Sequence, residues 1–491
     1  MHSFARPLVA ITLVAFITAC TTNPDPARAT TASSGAARPN VIVIMADDLG
    51  YADISAYGVK RIATPNIDRI GNEGVKFTDA YAAAPVCAPS RAALQTGRYP
   101  GRYGFEYNNG PPARDVAENL GLDRGEITIA QGLKTAGYHT GLVGKWHLGS
   151  NDEFYPTNRG YDEFVGFLPG ATAYIDSNLP HVRYIDPPGV SLSAMRPRGE
   201  HSQVIEGPDR KVVHNENEYL TEYFGRRAVE YIERNARADA PYFLYLAFNA
   251  PHDPLVVTQK YYDRFPHIAA EENRIYAAMI AALDDAIGTV LDAVDRSGEA
   301  DDTVVYFMSD NGCAAYIGGI CACEPLRGGK LSHYEGGMRV PFMVRWPARI
   351  RSGQVNRTVV STMDVFPTSL IAAGGQLPDD RVYDGVDLMP FLSGQRSGDP
   401  HRELMWRRSP LVSIRSGDWK LWKSVDGAYT MLFDLSADPN ESNNLAESEP
   451  ARVRELEAAI ERWSKDLKDP SWPSRPPRTY SVCGTPFVLP I

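Results

Sequence analysis

Apolar and polar positions alternate along this chain in blocks that predict strands and helices in turn. Residues 40–45, Asn-Val-Ile-Val-Ile-Met, form an almost unbroken apolar, β-branched run that stops at Ala46-Asp47-Asp48-Leu49-Gly50. Such a run reads as a central strand buried on both faces. Residues 303–308 stop in the same way, at Ser309-Asp310-Asn311-Gly312, and residues 242–248 stop at Asn249-Ala250-Pro251-His252. Helical periodicity fills the intervals 127–136, 219–234 and 273–294. Strands alternating with helices predict an α/β fold with a large, mostly parallel sheet flanked by helices. Polar residues placed at strand ends fit the rule that open α/β sheets bind ligands at the carboxyl edge, and here three strands converge on one place.

From about Asp387 the texture changes. Short strands at 411–414, 419–423 and 431–435 are joined by Gly417-Asp418 and Asp426-Gly427 turns, and a helix over 450–467 carries Val453, Leu456, Ile460, Trp463 and Leu467 on one face. These predict a smaller C-terminal α+β subdomain over 387–491, ending in a Pro-rich tail, behind a larger domain over 39–386. No internal repeat is visible.

The N-terminus reads differently. His2 and Arg6 precede an apolar stretch, residues 8–17, that ends in Ile17-Thr18-Ala19-Cys20. A basic start, an apolar run of this length and small residues at its end predict an export signal over 1–19, too short to span a bilayer. The ending resembles a bacterial lipobox, which implies lipidation of Cys20 and anchorage in the cell envelope; cleavage after Ala19 without lipidation is the plainer alternative. Residues 21–38, rich in Thr, Ala, Ser and Pro, suit a flexible tether.

Composition changes the picture in two ways. The 491 residues carry a formal net charge of −10 with no Lys/Arg run, which gives nucleic acid no electrostatic footing. Of six cysteines, Cys20 is assigned to lipid and Cys87 falls in the motif over residues 87–98. Cys313, Cys321, Cys323 and Cys483 remain, an even number in an exported chain, with three disulfide pairings open; a Cys-Ala-Cys metal site is the weaker reading.

The sharpest motif is Cys87-Ala88-Pro89-Ser90-Arg91-Ala92-Ala93-Leu94-Gln95-Thr96-Gly97-Arg98. Pro89 near the start and Gly97 at the end read as a short helix, which puts Cys87 at a helix N-terminus, where free N–H groups and the dipole favour an anion. The bland reading of Cys87 is a buried structural thiol. A second motif runs Gly137-Tyr138-His139-Thr140-Gly141-Leu142-Val143-Gly144-Lys145-Trp146-His147-Leu148-Gly149.

Together the two motifs resemble the paired signatures of the type I, formylglycine-dependent sulfatases of the alkaline phosphatase superfamily. The likeness runs over residues 40–446, including Thr64-Pro65-Asn66-Ile67-Asp68, Arg159-Gly160-Tyr161-Asp162-Glu163-Phe164 and Leu435-Ser436-Ala437-Asp438-Pro439. The resemblance implies hydrolysis of sulfate esters. A separate formylglycine-generating enzyme would oxidise Cys87 to 3-oxoalanine, whose hydrate attacks sulfur with one hydroxyl and expels sulfate with the other. It implies a divalent cation, Ca²⁺ before Mg²⁺, on Asp47, Asp48, Asp310, Asn311 and an oxygen of residue 87, all hard ligands. Acidic clusters at the ends of apolar strands need such an ion to be tolerated, although adjacent Asp pairs are commonly caps or turns. It also implies that Arg91, Lys145 and His147 orient the nucleophile, while His252 and Lys330 contact the sulfate and the leaving oxygen.

Two regions are not fixed by the family: the cysteine-bearing stretch between Gly312 and Leu326, and residues 168–213. The latter offers Tyr174, His181, Arg183, Tyr184, Arg196 and His201 as substrate-loop candidates, against a surface-loop alternative. A sulfated carbohydrate is the expected substrate. The competing readings are a small aryl sulfate, a phosphodiester or phosphonate substrate on the same fold, and a non-catalytic glycan-binding lipoprotein. The intact set Cys87, Arg91, Lys145 and His252 argues against the last. Oligomeric state is not legible.

Overall fold

The structure, a computed structural model, describes residues 1–2, 38–58, 60–185, 198–317, 320–321, 325–474, 476, 478–482 and 485–489. Cys20, Arg196, Cys323 and Cys483, together with nearly all of the export signal and tether, lie outside the described residues.

The expected sheet is present. In chain order its strands are β1 (Asn40–Ala46), β2 (Val75–Phe77), β3 (His139–Lys145), β4 (Glu163–Phe167), β5 (Ile205–Glu206), β6 (Lys211–Val212), β7 (Tyr242–Ala247), β8 (Thr303–Ser309), β9 (Phe342–Arg345) and β10 (Gln354–Asn356). Their spatial order is β10-β2-β9-β8-β1-β7-β3-β4-β5-β6. The central five, β8, β1, β7, β3 and β4, are mutually parallel, and antiparallel pairings of β8 with β9 and β4 with β5 lead to the edges.

The reason for the unbroken apolar strands is visible in their packing. Val41, Val43 and Met45 enter one core and Ile42, Ile44 and Ala46 the other, so every position of β1 is buried. The same alternation holds in β7, with Phe243 and Tyr245 on one side and Leu244 and Leu246 on the other. Helices Pro65–Asn72, Leu220–Asn235 and Glu271–Ser297 cover one face. Helices Cys87–Thr96, Ile129–Thr135 and Val365–Ala372 cover the other. Among helices of the described residues, none is long and apolar enough to cross a membrane.

The C-terminal part carries an antiparallel sheet of β11 (Glu403–Arg408), β12 (Leu411–Ser416), β13 (Trp419–Ser424) and β14 (Thr430–Asp434), with helix Pro450–Ser464 packed on it. It has one strand, β11, more than the pattern predicts. Met405, Ile414, Leu421, Leu432, Leu456 and Ile460 share a core with Ala93 of the Cys87 helix. The small sheet thus buttresses that helix from behind. A buried ion group reinforces the join: Lys420 Nζ lies 2.9 Å from Glu335 Oε1 and 3.0 Å from Glu441 Oε1. All three side chains are fully buried, and removing one partner of such a group costs about 3–5 kcal/mol because it strands the other charge. Among the described residues of the tail, Arg478–Val482 and Thr485–Leu489 pair as an antiparallel hairpin.

Candidate active site

Four parallel strands, one more than sequence predicts, deliver side chains to the carboxyl edge of the sheet. β1 ends at Asp47 and Asp48, β8 at Asp310 and Asn311, β7 leads to His252, and β3 ends on Lys145 two residues before His147. The Cys87 helix supplies Cys87 and Arg91 from one layer, and a glycine-rich loop supplies Lys330. All ten predicted site residues meet here and all are buried.

The helix begins at Cys87 itself, two residues before the expected Pro89 start, and closes at Gly97 in the left-handed region (φ 67°). Val86, at the cap position, has no polar side chain to offer the first turn. Instead Asn108 reaches across, its Oδ1 accepting from Ala88 N–H at 3.0 Å. Burial pushes the Cys87 thiol well up, against the lowering influence of Lys145 and Lys330. An unmodified Cys87 is therefore a protonated thiol, not a thiolate.

The charges interlock in pairs. Lys145 Nζ donates to Asp47 Oδ2 at 2.5 Å. Arg91 donates through Nε to Asp310 Oδ2 at 2.9 Å, and its Nη2 lies 2.8 Å from the same oxygen and 3.5 Å from Asp47 Oδ1 as an ion pair. Lys330 Nζ donates to Asp48 Oδ2 at 2.8 Å, and Asn311 Nδ2 donates to Asp48 Oδ1 at 2.7 Å. Burial works to raise all three carboxyls. At Asp47 it is outweighed by Lys145, His252 and Arg91, and at Asp48 by Lys330 and His252, so both are held below the usual range. At Asp310, burial and the neighbouring Asp47 prevail over Arg91. Burial would also strip Lys330 of its proton, but Asp48 holds it as an ammonium.

The histidines take different roles. His252 Nδ1 lies 2.6 Å from the Asp253 carbonyl, an acceptor, so Nδ1 carries the proton; Nε2 faces Lys330 Nζ at 3.1 Å. His147 has its pKa pushed well below the ordinary value by burial and by Lys145 and Arg91, which leaves it neutral. Its backbone is left-handed (φ 61°), and the close approach of Gly170, whose Cβ would stand 2.8 Å from the ring, makes room for it. Gly312 is equally constrained, because a Cβ there would come within 1.7 Å of the Gly336 carbonyl.

The residues also suit a hard cation. Asp47 Oδ1 and Asn311 Oδ1 are buried oxygens without a hydrogen-bond partner, an arrangement that costs free energy unless something electropositive meets them. Asp47, Asp48, Cys87 and His252 bring potential ligand atoms within 4.8 Å of one another. Asp310, predicted with the metal group, here gives Oδ2 to Arg91 and Oδ1 to the Asp48 N–H (3.1 Å).

Cys313 pairs with Cys321, one of the pairings left open. The Cys313 carbonyl accepts from Lys330 N–H at 2.8 Å, so the insertion beside Asn311 frames the loop that carries Lys330. In the 168–213 region, His181, Arg183, Tyr184 and His201 are exposed, and Arg183 Nε donates to Gln259 Oε1 at 2.7 Å. Tyr174 departs from the surface role expected of it. It is fully buried, and its hydroxyl donates to the backbone carbonyls of Asn249 (2.5 Å) and His252 (2.9 Å). Its contribution, like that of Asn108, is tertiary and leaves no local signal in the sequence.

A pocket of buried carboxylates, fixed cations and a helix start, at the carboxyl edge of this sheet, suits a hydrolase of anionic esters. Comparison with known proteins narrows the class. The Sulfatase family model matches residues 39–375, and the model described as N-sulphoglucosamine sulphohydrolase, C-terminal, matches residues 329–467. Human (Homo sapiens) steryl-sulfatase is 30% identical, with 86% of this chain and 87% of that one aligned. The N-acetylgalactosamine-6-sulfatase of Canis lupus familiaris is 33% identical over 78% of this chain and 71% of its own. The crystal structure of Ps i-CgsB in complex with k-i-k-neocarrahexaose superposes with a TM-score of 0.78 at 33% identity, covering 89% of this chain and 95% of that one. The phosphonate monoester hydrolase of Agrobacterium radiobacter, at 23% identity and a TM-score of 0.62, shares the fold. The chain belongs to the sulfatase family and is a sulfuric ester hydrolase.

Tyr174→Phe removes the one hydroxyl that fixes both carbonyls flanking the His252 turn. We expect kcat/KM to fall about tenfold on every sulfate ester, whatever its leaving group, with about 1–3 kcal/mol lost in stability. Steady-state kinetics on two unlike esters, with thermal unfolding, check this; a loss confined to one ester would return Tyr174 to substrate recognition.

Proposed function

We propose that this enzyme removes sulfate from sulfated carbohydrates, using formylglycine formed from Cys87 and a divalent cation, in the cell envelope of a bacterium. The observation that carries the chemistry is the placement of Cys87: a buried, protonated thiol at a helix start, ringed by three carboxylates and three fixed cations. A thiol held in this form is a poor nucleophile. As formylglycine, residue 87 supplies a hydrated aldehyde, one hydroxyl of which attacks sulfur while the other later releases the sulfate.

The chain's own groups do the rest. Asp47 and Asp310 hold Lys145 and Arg91 in place beside residue 87, where their charge favours an ionised oxygen. Lys330 and His252, 3.1 Å apart, present an ammonium and an imidazole nitrogen to the departing ester oxygen. Preorganised donors of this kind need no reorientation as charge develops. Asp47, Asp48, Asp310, Asn311 and residue 87 would hold Ca²⁺, or Mg²⁺ in its place, and the ion when bound supplies further positive charge to the sulfate oxygens.

Two observations support the carbohydrate reading. A relative at 33% identity was solved with a neocarrahexaose bound, and exposed Arg183 and Tyr184 lie on an insertion strand, with exposed His181 just before it, beside the His252 turn. Tyr rings stack on sugars, and Arg and His meet neighbouring anionic groups. Export and lipid anchorage through Cys20 rest on the lipobox-like ending; the Cys313–Cys321 disulfide supports an oxidising compartment. Maturation then calls on a formylglycine-generating enzyme as partner.

Four outcomes follow. Mass spectrometry of the Cys87 peptide from the native host will show a species lighter by the thiol-to-aldehyde difference, and Cys87→Ala will fold without activity; fully active enzyme bearing only cysteine would refute formylglycine. Exhaustive chelation will abolish turnover and Ca²⁺ or Mg²⁺ will restore it; full activity with no metal by elemental analysis removes the ion from the account. kcat/KM for sulfated oligosaccharides will exceed that for a nitrophenyl sulfate, and Arg183→Ala will lower the former alone; the reverse order returns the enzyme to small aryl sulfates. Cys20→Ala will move the protein from the membrane fraction with its activity intact, whereas wild-type protein already free of membrane would end the anchor reading.

A further inference from the structure

The Cys87 helix has an unusual start. An α-helix leaves its first N–H groups without intrahelical partners, and the residue at the cap position ordinarily meets one of them with a side-chain oxygen. Here that residue is Val86, which cannot. Pro89 has no N–H, so the first turn depends on what meets Cys87 and Ala88. Asn108 does so from a remote segment, its Oδ1 accepting from Ala88 N–H at 3.0 Å. The neighbouring Asn109 is turned inward, donating to the Leu120 carbonyl.

Asn108 is itself fixed from a third place. The Trp472 indole N–H donates to the Asn108 carbonyl at 3.2 Å, and the Trp472 ring stands edge-on to Phe105 with centroids 4.8 Å apart. Ser471 N–H donates to the Gly104 carbonyl at 2.8 Å and Lys468 N–H to the Gly101 carbonyl at 2.9 Å. The chain just after helix Pro450–Ser464 is therefore laced along residues 101–108. Asn108 is half-buried, whereas Cys87, Ala88 and Arg91 are wholly buried. Its Nδ2 has no partner among the described residues. A carboxamide whose oxygen is committed to the helix start keeps two N–H donors within reach of the first turn of the Cys87 helix.

We propose that Asn108 is a substrate-binding residue of the sulfatase reaction: Oδ1 caps the helix that bears residue 87, and Nδ2 donates to an acceptor oxygen of the bound sulfate ester, with Trp472 as the positioning residue that holds Asn108 in register. This extends the C-terminal tail from packing into the active site. It rests on sulfate-ester hydrolysis alone, not on the carbohydrate or cation readings.

Capping and substrate contact separate by substitution, because Asp caps a helix as well as Asn does but has no N–H to give. Asn108→Asp adds a charge, so Asn108→Ser, neutral but too short to keep the cap from this remote segment, serves as the second variant. Each variant is made in the full chain and assayed on a sulfate monoester that the wild type turns over. Melting temperature, kcat, KM and the competitive Ki of inorganic sulfate are read. Asn108→Asp is expected to melt close to wild type and Asn108→Ser somewhat lower, with KM raised about tenfold and kcat nearly unchanged in both. A parallel rise in the sulfate Ki assigns the contact to the sulfate group; an unchanged Ki assigns it to the leaving-group side. Trp472→Phe keeps the apolar packing, loses the indole N–H, and should raise KM about threefold. Wild-type KM in both Asn108 variants would overturn the binding role and leave a cap alone. Wild-type KM in Trp472→Phe would overturn the positioning role of the tail.

Discussion

Three fully buried carboxylates, Asp47, Asp48 and Asp310, are the constraint around which this molecule is organised. Taking one such charge out of water costs several kcal/mol even after relaxation, so each must be met by a cation held in register. Lys145, Arg91 and Lys330 meet them, and each arrives from a different element: a strand end, a helix and a loop. The pairing therefore demands that β1, β3 and β8, the Cys87 helix and the Lys330 loop converge within hydrogen-bonding distance. The same arrangement that balances the fold's charges is poised for an anionic ester, because cations tied to carboxylates need not reorganise when substrate enters.

The close approach has a steric side. Lys330 reaches Asp48 from a loop in which Gly329 sits against the Cys313 carbonyl and Gly337 against the Ser332 carbonyl, where added Cβ atoms would lie 2.5 and 2.2 Å away. The Cys313–Cys321 disulfide and the Cys313 carbonyl's bond to Lys330 N–H make the insertion after Asn311 a frame for this crowded turn. Behind the pocket, Lys420 with Glu335 and Glu441 repeats the solution at the join to the small sheet.

What could be read in the sequence follows from where each signal is local. The ends of β1, β7 and β8 were legible because a strand buried on both faces must be apolar throughout, so the first carboxylate or imidazole beyond it stands out. β3 was legible only as a short strand-like stretch: Gly141 and Gly144 interrupt the pattern, Gly141 because a side chain would strike the Tyr231 ring at 2.3 Å and Gly144 because the Ala247 carbonyl lies 1.9 Å from any Cβ. Lys145 and His147 read as a Gly-rich turn after that stretch, whereas the strand runs through Lys145. β11 reads Glu-Leu-Met-Trp-Arg-Arg, whose charged ends hide a buried middle. Pro89 suggested a later helix start, since Pro is tolerated anywhere in a first turn. Tyr174 and Asn108 act on carbonyls and an N–H far away in sequence, and no local pattern announces such partners.

The His252 turn joins the candidate site to the 168–213 insertion. On one side its ring stands 3.5 Å from Asp48 and 3.1 Å from Lys330. On the other, the chain passes through Asp253 and Pro254 directly into Leu255–Thr258, which pairs antiparallel with Val182–Ile185 of the insertion. Tyr174, from the same insertion, grips the turn's carbonyls from beneath. In the proposed reaction, a substrate held by the insertion would therefore lie one four-residue ladder and one buried phenol away from the His252–Lys330 pair. The insertion and that pair share one piece of backbone, so a substitution that shifts the Val182–Ile185 strand is expected to be felt at His252 as well.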